Sequence, residues 1–323
     1  VEIVALDTVD RQLAHALQLD GRASFSTIAA VLGVSDQTVA RRYRRLRSAG
    51  ALRVVGLPNA RRLGHVEWLV RLRCMPDAAG PIAEALARRE NTSWVGLTSG
   101  GAEIVCVLRS RSPAERNALL LGQLPHTPRV VAVTAHLLLR TFFGGATGWN
   151  GRADALTPDQ IEALRPEPAE PGGEPVRLGD GDEALLAELA LDGRASLQRL
   201  AAACGRSEST VQRRLEHLRA RGALFFDVEI EPGLLGFSGE GWLWLSVAPR
   251  DLVSVATAMA GHPEIAFVAA TTGSANLVAS LGVRDVDQLF DYVAGPLAAL
   301  DAIRDLESAP VMRTVKRAGL LLH

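Results

Sequence analysis

Apolar residues recur at helical spacing from the start of the chain. Leu13 and Leu17 lie four apart behind Asp10, an N-cap or first-turn acid, and predict a first helix. Ser24 predicts the cap of a second, whose inner face is Ile28, Ala29 and Leu32 and which Gly33 stops. Ser35 predicts the cap of a third helix running to about Ala49 and ended by Gly50. Its core stripe is Val39, Tyr43 and Leu46, at i, i+4 and i+7. A short helix, a tight glycine turn and a capped helix make a helix-turn-helix pattern. Residues 51–57 are then apolar and extended, which predicts a wing strand.

Further on the pattern predicts a strand over 66–72, a helix over 81–89, strands over 94–98 and 102–108 around a Ser-Gly-Gly turn, a helix over 113–122 and a strand over 129–142. That order is the ferredoxin-like split unit. Residues 144–177 are rich in Gly, Pro and Glu and predict a linker, with one short helix over 156–164. Everything then repeats. Helices are expected over 182–191, 197–203 and 207–221, and a wing over 224–230. A second split unit follows over 241–247, 252–261, 265–271, 276–283, 287–297 and 303–316.

The repeat is literal in places. Residues 19–24 read Leu-Asp-Gly-Arg-Ala-Ser and so do residues 191–196, an offset of 172 (191 minus 19) that slips to 173 at Gly273 and Gly100. Solenoid periods run to roughly 20–50 residues, so this is duplication of a domain-sized module. The expected class is α+β, a tandem repeat of winged helix-turn-helix and ferredoxin-like βαββαβ domains. Their expected bounds are 1–60, 61–143, a linker over 144–177, 178–232 and 233–323.

A net charge of −1 over 323 residues conceals a local excess. Residues 35–50 hold five arginines against one aspartate. A helix docked in a major groove places short polar residues near bases and phosphates and arginines on guanine edges or phosphate oxygens. Ser35, Gln37, Thr38, Arg41, Arg42 and Arg45 are the candidates here, with double-stranded DNA as partner. Ser207, Ser209, Thr210, Arg213, Arg214 and His217 are their counterparts. Glu208 and Glu216 weaken the second face, which is expected to read DNA less tightly.

Two glycine turns are candidates for a small ligand: Thr98, Ser99, Gly100, Gly101, Ala102 and Glu103, and Thr271, Thr272, Gly273, Ser274, Ala275 and Asn276. Exposed N–H groups and hydroxyls there could hold a carboxylate, while Glu103 or Asn276 meets an amino group. An ordinary hairpin turn is the alternative, since glycine is expected there too. Three scattered cysteines and seven histidines show no metal spacing, so no metal and no cofactor are expected. No Walker loop, Gly-x-Ser-x-Gly or dinucleotide fingerprint is present, and no enzyme is expected. The longest apolar run, around 130–139, is far short of the roughly 20 residues of a spanning helix. A cytoplasmic protein without a membrane partner is expected.

Leu6-Asp7…Asp10, Asp20-Gly21-Arg22-Ala23-Ser24, Leu32-Gly33-Val34-Ser35, Thr38-Val39…Arg41-Arg42…Leu46 and Gly50 resemble the start of the Lrp/AsnC (leucine-responsive/asparagine-sensing) transcription regulators. The chain fits as two family-length units in tandem. The resemblance implies an N-terminal DNA-binding domain and a C-terminal domain that dimerises and senses an effector such as an amino acid. It implies ligands at subunit interfaces near a Gly-x-x-Asp-type turn. Here the acid is Glu103 in one copy and Asn276 in the other, so unequal sites are expected. It also implies self-association, as a homodimer or tetramer, and one chain could pair its own halves. Sirohaem decarboxylases resemble the same family. An enzyme of that kind, or an accessory partner that binds no DNA, are the alternative readings.

Overall fold

The computed structural model describes residues 6–145, 155–170 and 172–318. In the first half the elements are α1 (Thr8–Leu19), α2 (Phe25–Leu32), α3 (Asp36–Ser48) and β1 (Leu52–Pro58), then β2 (Val66–Cys74), α4 (Pro76–Ala87), β3 (Thr92–Thr98), β4 (Glu103–Ser110), α5 (Pro113–Asn117) and β5 (Val130–Phe143). After α6 (Pro158–Leu164) the order repeats. It runs α7 (Asp182–Leu191), α8 (Leu197–Cys204), α9 (Glu208–Ala220) and β6 (Leu224–Ile230), then β7 (Gly239–Val247), α10 (Leu252–Ala260), β8 (Ile265–Thr271), β9 (Leu277–Val283), α11 (Val286–Tyr292) and β10 (Ile303–Lys316). The chain folds as two compact units, and each draws on both halves: Val1–Leu63 with Gly148–Gly236, and Gly64–Thr147 with Phe237–His323.

The first unit holds both helix-turn-helix modules. Asp7 and Asp10 close a capping box at the start of α1. Ser24 caps α2, Gly33 ends it at φ 67°, and Ser35 caps α3. Leu13, Leu17, Ile28 and Leu46 are fully buried and Val39 and Tyr43 nearly so. The second module repeats this with Ser196, Gly205 and Ser207. The wings β1 and β6 pair antiparallel with each other. Part of the expected linker is built into this unit. Leu156 and Leu164 enter the first module's core, and Gln160 Nε2 donates to the Val31 carbonyl at 3.1 Å. Arg62 donates to the carbonyls of Arg221 and Glu170, each at 2.7 Å, and Leu63 and Val176 lie in the second module's core. Residues 146–154 and 171 of that linker lie outside the described residues.

Within the first unit, the duplicated Leu-Asp-Gly-Arg-Ala-Ser segments cross between modules. Arg22 Nη1 donates to the carbonyls of Gly193 and Ala195 at 2.8 and 3.2 Å, and Arg194 Nη1 donates to that of Gly21 at 2.7 Å. Burial pulls both guanidinium groups below their ordinary value. Arg47 pairs with Asp192 at 2.7 Å and Arg219 with Asp20 at 3.0 Å, the same bond written twice at the 172 offset. Gly21 and Gly193 let the turns approach the wings, and the Gly193 N–H donates to the Val54 carbonyl at 2.8 Å.

The second unit is an eight-stranded closed sheet of order β10-β3-β4-β2-β5-β8-β9-β7, antiparallel throughout. Two split units, β5-β2-β4-β3 and β10-β7-β9-β8, join through β5–β8 and β10–β3. Leu138 faces Thr271 and Val311 faces Thr98, which is one contact repeated at the 173 offset. Strand residues alternate between two cores, as the period of two requires. Val70, Leu72, Ile104 and Cys106 pack with α4, while Leu69, Val105 and Val107 pack inward with Trp242, Trp244 and Val278. Helix α4 starts at Pro76, five residues before the expected start. Pro81 sits inside it instead of opening it, with no N–H to give to the preceding turn. The two helices expected to reach Gly122 and Leu297 narrow to α5 and α11, each continued by a π-helical turn.

Candidate nucleic-acid interface and ligand cleft

Helix α3 presents two kinds of arginine. Arg42 Nη1 reaches back to α1, donating to Asp7 at 2.6 Å and to Asp10 at 2.9 Å, and Arg45 Nη2 donates to Asp10 at 2.5 Å. Asp10 is fully buried. In the second module Arg214 grips buried Asp182 with Nη2 at 2.5 Å and Nε at 3.0 Å. Arg42, Arg45 and Arg214 were expected to face DNA. Their spacing from the core stripe turns them toward the first helix of their own module, where acids meet them.

The outward stripe is Gln37, Arg41 and Arg44, at i, i+4 and i+7, all exposed. They line a concavity of about 390 Å³. No acid is paired with Arg41 or Arg44 among the described residues. Arg44 was not among the expected readers, although its spacing from Gln37 and Arg41 carries the signal. Ser35 and Thr38 stand at the helix start, with their hydroxyls 2.9 Å apart and the Thr38 N–H on Ser35 Oγ at 3.2 Å. On α9, Ser207 caps Thr210 in the same way, and Ser209, Gln212, Arg213 and His217 are exposed. Glu216 replaces Arg44 and accepts from Gln212 at 3.0 Å. The second face therefore keeps one unpaired guanidinium where the first keeps two, among the described residues.

The two glycine turns differ as sharply. At the first, Gly100 and Gly101 take φ of 70° and 86° with open space where a side chain would stand. A cleft of about 410 Å³ opens beside it, lined by Arg71, Arg73, Ser99, Glu103, Thr134 and Glu307 among others. Glu103 is buried and engaged. Arg71 Nε donates to it at 2.8 Å, Ser99 Oγ at 3.1 Å and fully buried Thr98 Oγ1 at 3.2 Å. Arg71 also donates to Glu307 at 2.5 Å and stacks its guanidinium 3.9 Å above the Trp244 ring. Burial works against the Arg71 charge, but the bonds to Glu307 and Glu103 outweigh it and raise its pKa. The Glu307 carboxyl is lowered by that same hydrogen bond. Ala102 lends its carbonyl to the Cys74 N–H at 3.0 Å.

The second turn is closed. Asn276 spends its amide on the backbone of Val247, accepting at 2.9 Å and donating at 2.8 Å. Thr271 Oγ1 donates to the Ala275 carbonyl at 2.8 Å, and Thr272 is bonded to the Leu137 backbone on β5. A side chain on Gly273 would stand 2.4 Å from His136 Nδ1. Ser274 is exposed beside this packed turn. Trp244 occupies the position equivalent to Arg71 (244 minus 71 is 173), so the second copy has no matching cation. Among the described residues no group of His, Cys, Asp and Glu could hold a metal. None of their helices is long and apolar enough to cross a membrane.

Comparison with known proteins places these parts. The AsnC-type helix-turn-helix domain matches residues 6–47 and 179–219, and the Lrp/AsnC ligand binding domain matches residues 242–321. An uncharacterised HTH-type transcriptional regulator of Pyrococcus abyssi is 28% identical over 145 residues, 45% of this chain and 91% of its own length. The HTH-type transcriptional regulator FL11 of Pyrococcus horikoshii is 27% identical over 142 residues, 44% of this chain and 93% of its own. The siroheme decarboxylase NirDL shares the fold over 97% of this chain and 93% of its own, with a TM-score of 0.64 and 13% identity. Two AsnC-type helix-turn-helix matches and a ligand-binding match, set in a duplicated architecture, make this chain a member of the Lrp/AsnC family of transcription regulators, with two units in tandem.

Proposed function

We propose that the chain regulates transcription in the cytoplasm by reading a double-stranded DNA site with two unequal helices, and that a small molecule in the first-turn cleft tunes this reading. The observation that carries it is the outward stripe of Gln37, Arg41 and Arg44 on a Ser-capped helix. The equivalent α9 face supports a weaker second reader, with Arg213 as its cation. An enzyme or a non-DNA-binding accessory protein leaves these guanidinium groups without a role. Wing pairing within one chain fixes the two readers together, so half-sites about 10 base pairs apart, or a whole multiple, are expected. Hydroxyl-radical footprinting on upstream DNA should show that period with one half protected more strongly. Protection without period counts against the geometry.

The effector is an amino acid or similar zwitterion. Exposed Arg73 and Ser99 suit its carboxylate, and the outer face of Glu307 suits its ammonium group. Since the second turn is closed, one ligand per chain is expected. Calorimetric titration with the amino acids should give one site, weakened by Arg73→Ala. Two equal sites per chain would contradict this. Self-association of the doubled chain belongs to the same reading, because the effector can act only by favouring one arrangement over another.

A further inference from the structure

The wing ribbon carries a rule for which strand pairs with which. In the register of β1 and β6, Val55 lies opposite Asp227. These two are equivalent positions of the duplicated module (227 minus 55 is 172), so the local twofold relation passes between them. Two residues away on the same face, Arg53 lies opposite Glu229, and on the other side Leu57 lies opposite Phe225. Arg53 and Phe225 are equivalents, as are Leu57 and Glu229. The Arg53–Glu229 and Leu57–Phe225 pairs are therefore complementary only because the two strands differ, and the central pair sets a carboxyl against an aliphatic side chain instead of against a second carboxyl.

We propose that this ribbon is heterospecific: the wing of each module recognises the wing of the other kind and rejects its own. A first wing paired in the same register with a second copy of itself would set Arg53 against Leu57 twice and Val55 against Val55. A second wing on its own kind would set Phe225 against Glu229 twice and Asp227 against Asp227. The Glu229 side chain is only 8% exposed and is paired with Arg53. Deprived of that arginine it becomes a buried charge without compensation. Burial, with Glu229 adding, already pushes the Asp227 carboxyl up to about 6, although its residue keeps some contact with solvent. Two such carboxyls face to face could not both ionise.

The ion pairs and the arginine–carbonyl bonds around the ribbon do not choose. Arg47–Asp192 matches Arg219–Asp20, and Arg22 and Arg194 both bond backbone carbonyls of a sequence that is identical in the two modules. Any combination of modules could make those bonds. Selection rests on the cross-strand pairs, and the partner they fit is the other wing, in the same chain or in a second copy.

Disulfide trapping in the full chain tests this. Directly opposed strand residues have Cα atoms about 4.5–5.5 Å apart, within the span of a disulfide. In a Cys204→Ser background, Val55→Cys, Asp227→Cys and the double variant are unfolded, refolded at high concentration so that wings of different chains compete, and oxidised. The proposal expects the double variant to be crosslinked, as an internally bridged monomer or a swapped dimer. Each single variant is expected to give at least tenfold less crosslinked dimer. Dimer from either single variant as abundant as the double variant's product overturns it. Charge exchange gives a second reading. Arg53→Glu and Glu229→Arg should each lower the unfolding midpoint and together restore most of the loss. No recovery would also overturn the proposal.

Discussion

Gly193→Ala should be among the most damaging single substitutions in the first unit. The added carbon would stand 2.9 Å from the Val55 carbonyl carbon, 3.0 Å from the Gly56 nitrogen and 3.0 Å from Val54 Cγ1. Two of those atoms are backbone in a paired strand and cannot swing away. The Gly193 N–H also donates to the Val54 carbonyl, so relieving the clash breaks that bond. Overpacking of this kind costs about 3 kcal/mol, which lowers the melting temperature by roughly 10 °C at this size. Gly21→Ala is at least as tight, at 2.7 Å from Phe226 Cβ, which the β6 backbone fixes, and 2.8 Å from Val54 Cγ1, and should cost a comparable amount. Gly233→Ala, with open space around it, is the control and should shift melting by a few degrees at most. Scanning calorimetry checks all three. A Gly193→Ala protein as stable as the Gly233→Ala control would mean the module contact is not formed.

The second large effect falls on DNA affinity. Arg41→Ala with Arg44→Ala removes both unpaired guanidinium groups of the first stripe. Loss of a base-reading arginine costs about 1–3 kcal/mol, and loss of a phosphate contact reduces the salt slope by about 1. The double variant should therefore bind about 100-fold more weakly, with a shallower salt dependence. Arg213→Ala should cost about tenfold. Arg42→Ala and Arg214→Ala should behave differently. Arg214→Ala takes the guanidinium from buried Asp182 and Arg42→Ala leaves buried Asp10 to Arg45 alone, so both should lower stability while leaving the salt slope nearly unchanged. Anisotropy titrations at several salt concentrations, beside melting curves, separate the two classes. If Arg42 and Arg41 variants lose salt slope equally, the division of the helix into an inward and an outward arginine face is wrong.

Much of the fold is written locally. Ser24, Gly33 and Ser35 announce two helices and their turn, because caps and left-handed glycines act on neighbouring backbone. Leu224–Ile230, Ile265–Thr271 and Ile303–Lys316 coincide with the strands their apolar runs predict. The parts that local sequence leaves open depend on distant partners. An outward position on α3 looks the same for Arg41 and Arg42 until Asp10, 32 residues earlier, is placed opposite one of them. Glu103 carries a charge suited to an amino group, but Arg71 reaches it from the neighbouring strand. The repeated Leu-Asp-Gly-Arg-Ala-Ser segment announces duplication, while its work lies between the copies. Asn276 already marks the second turn as different, and only its bonds to Val247 show that the turn is closed.

The proposed function requires guanidinium groups on the outward faces of α3 and α9 to meet a polyanion. Titration of the full chain with duplex DNA from its own upstream region measures that contact. With three phosphate contacts, affinity should fall about 40-fold between about 50 and about 200 mM salt. Failure to retain duplex at the lower salt, or retention that ignores salt, would contradict it.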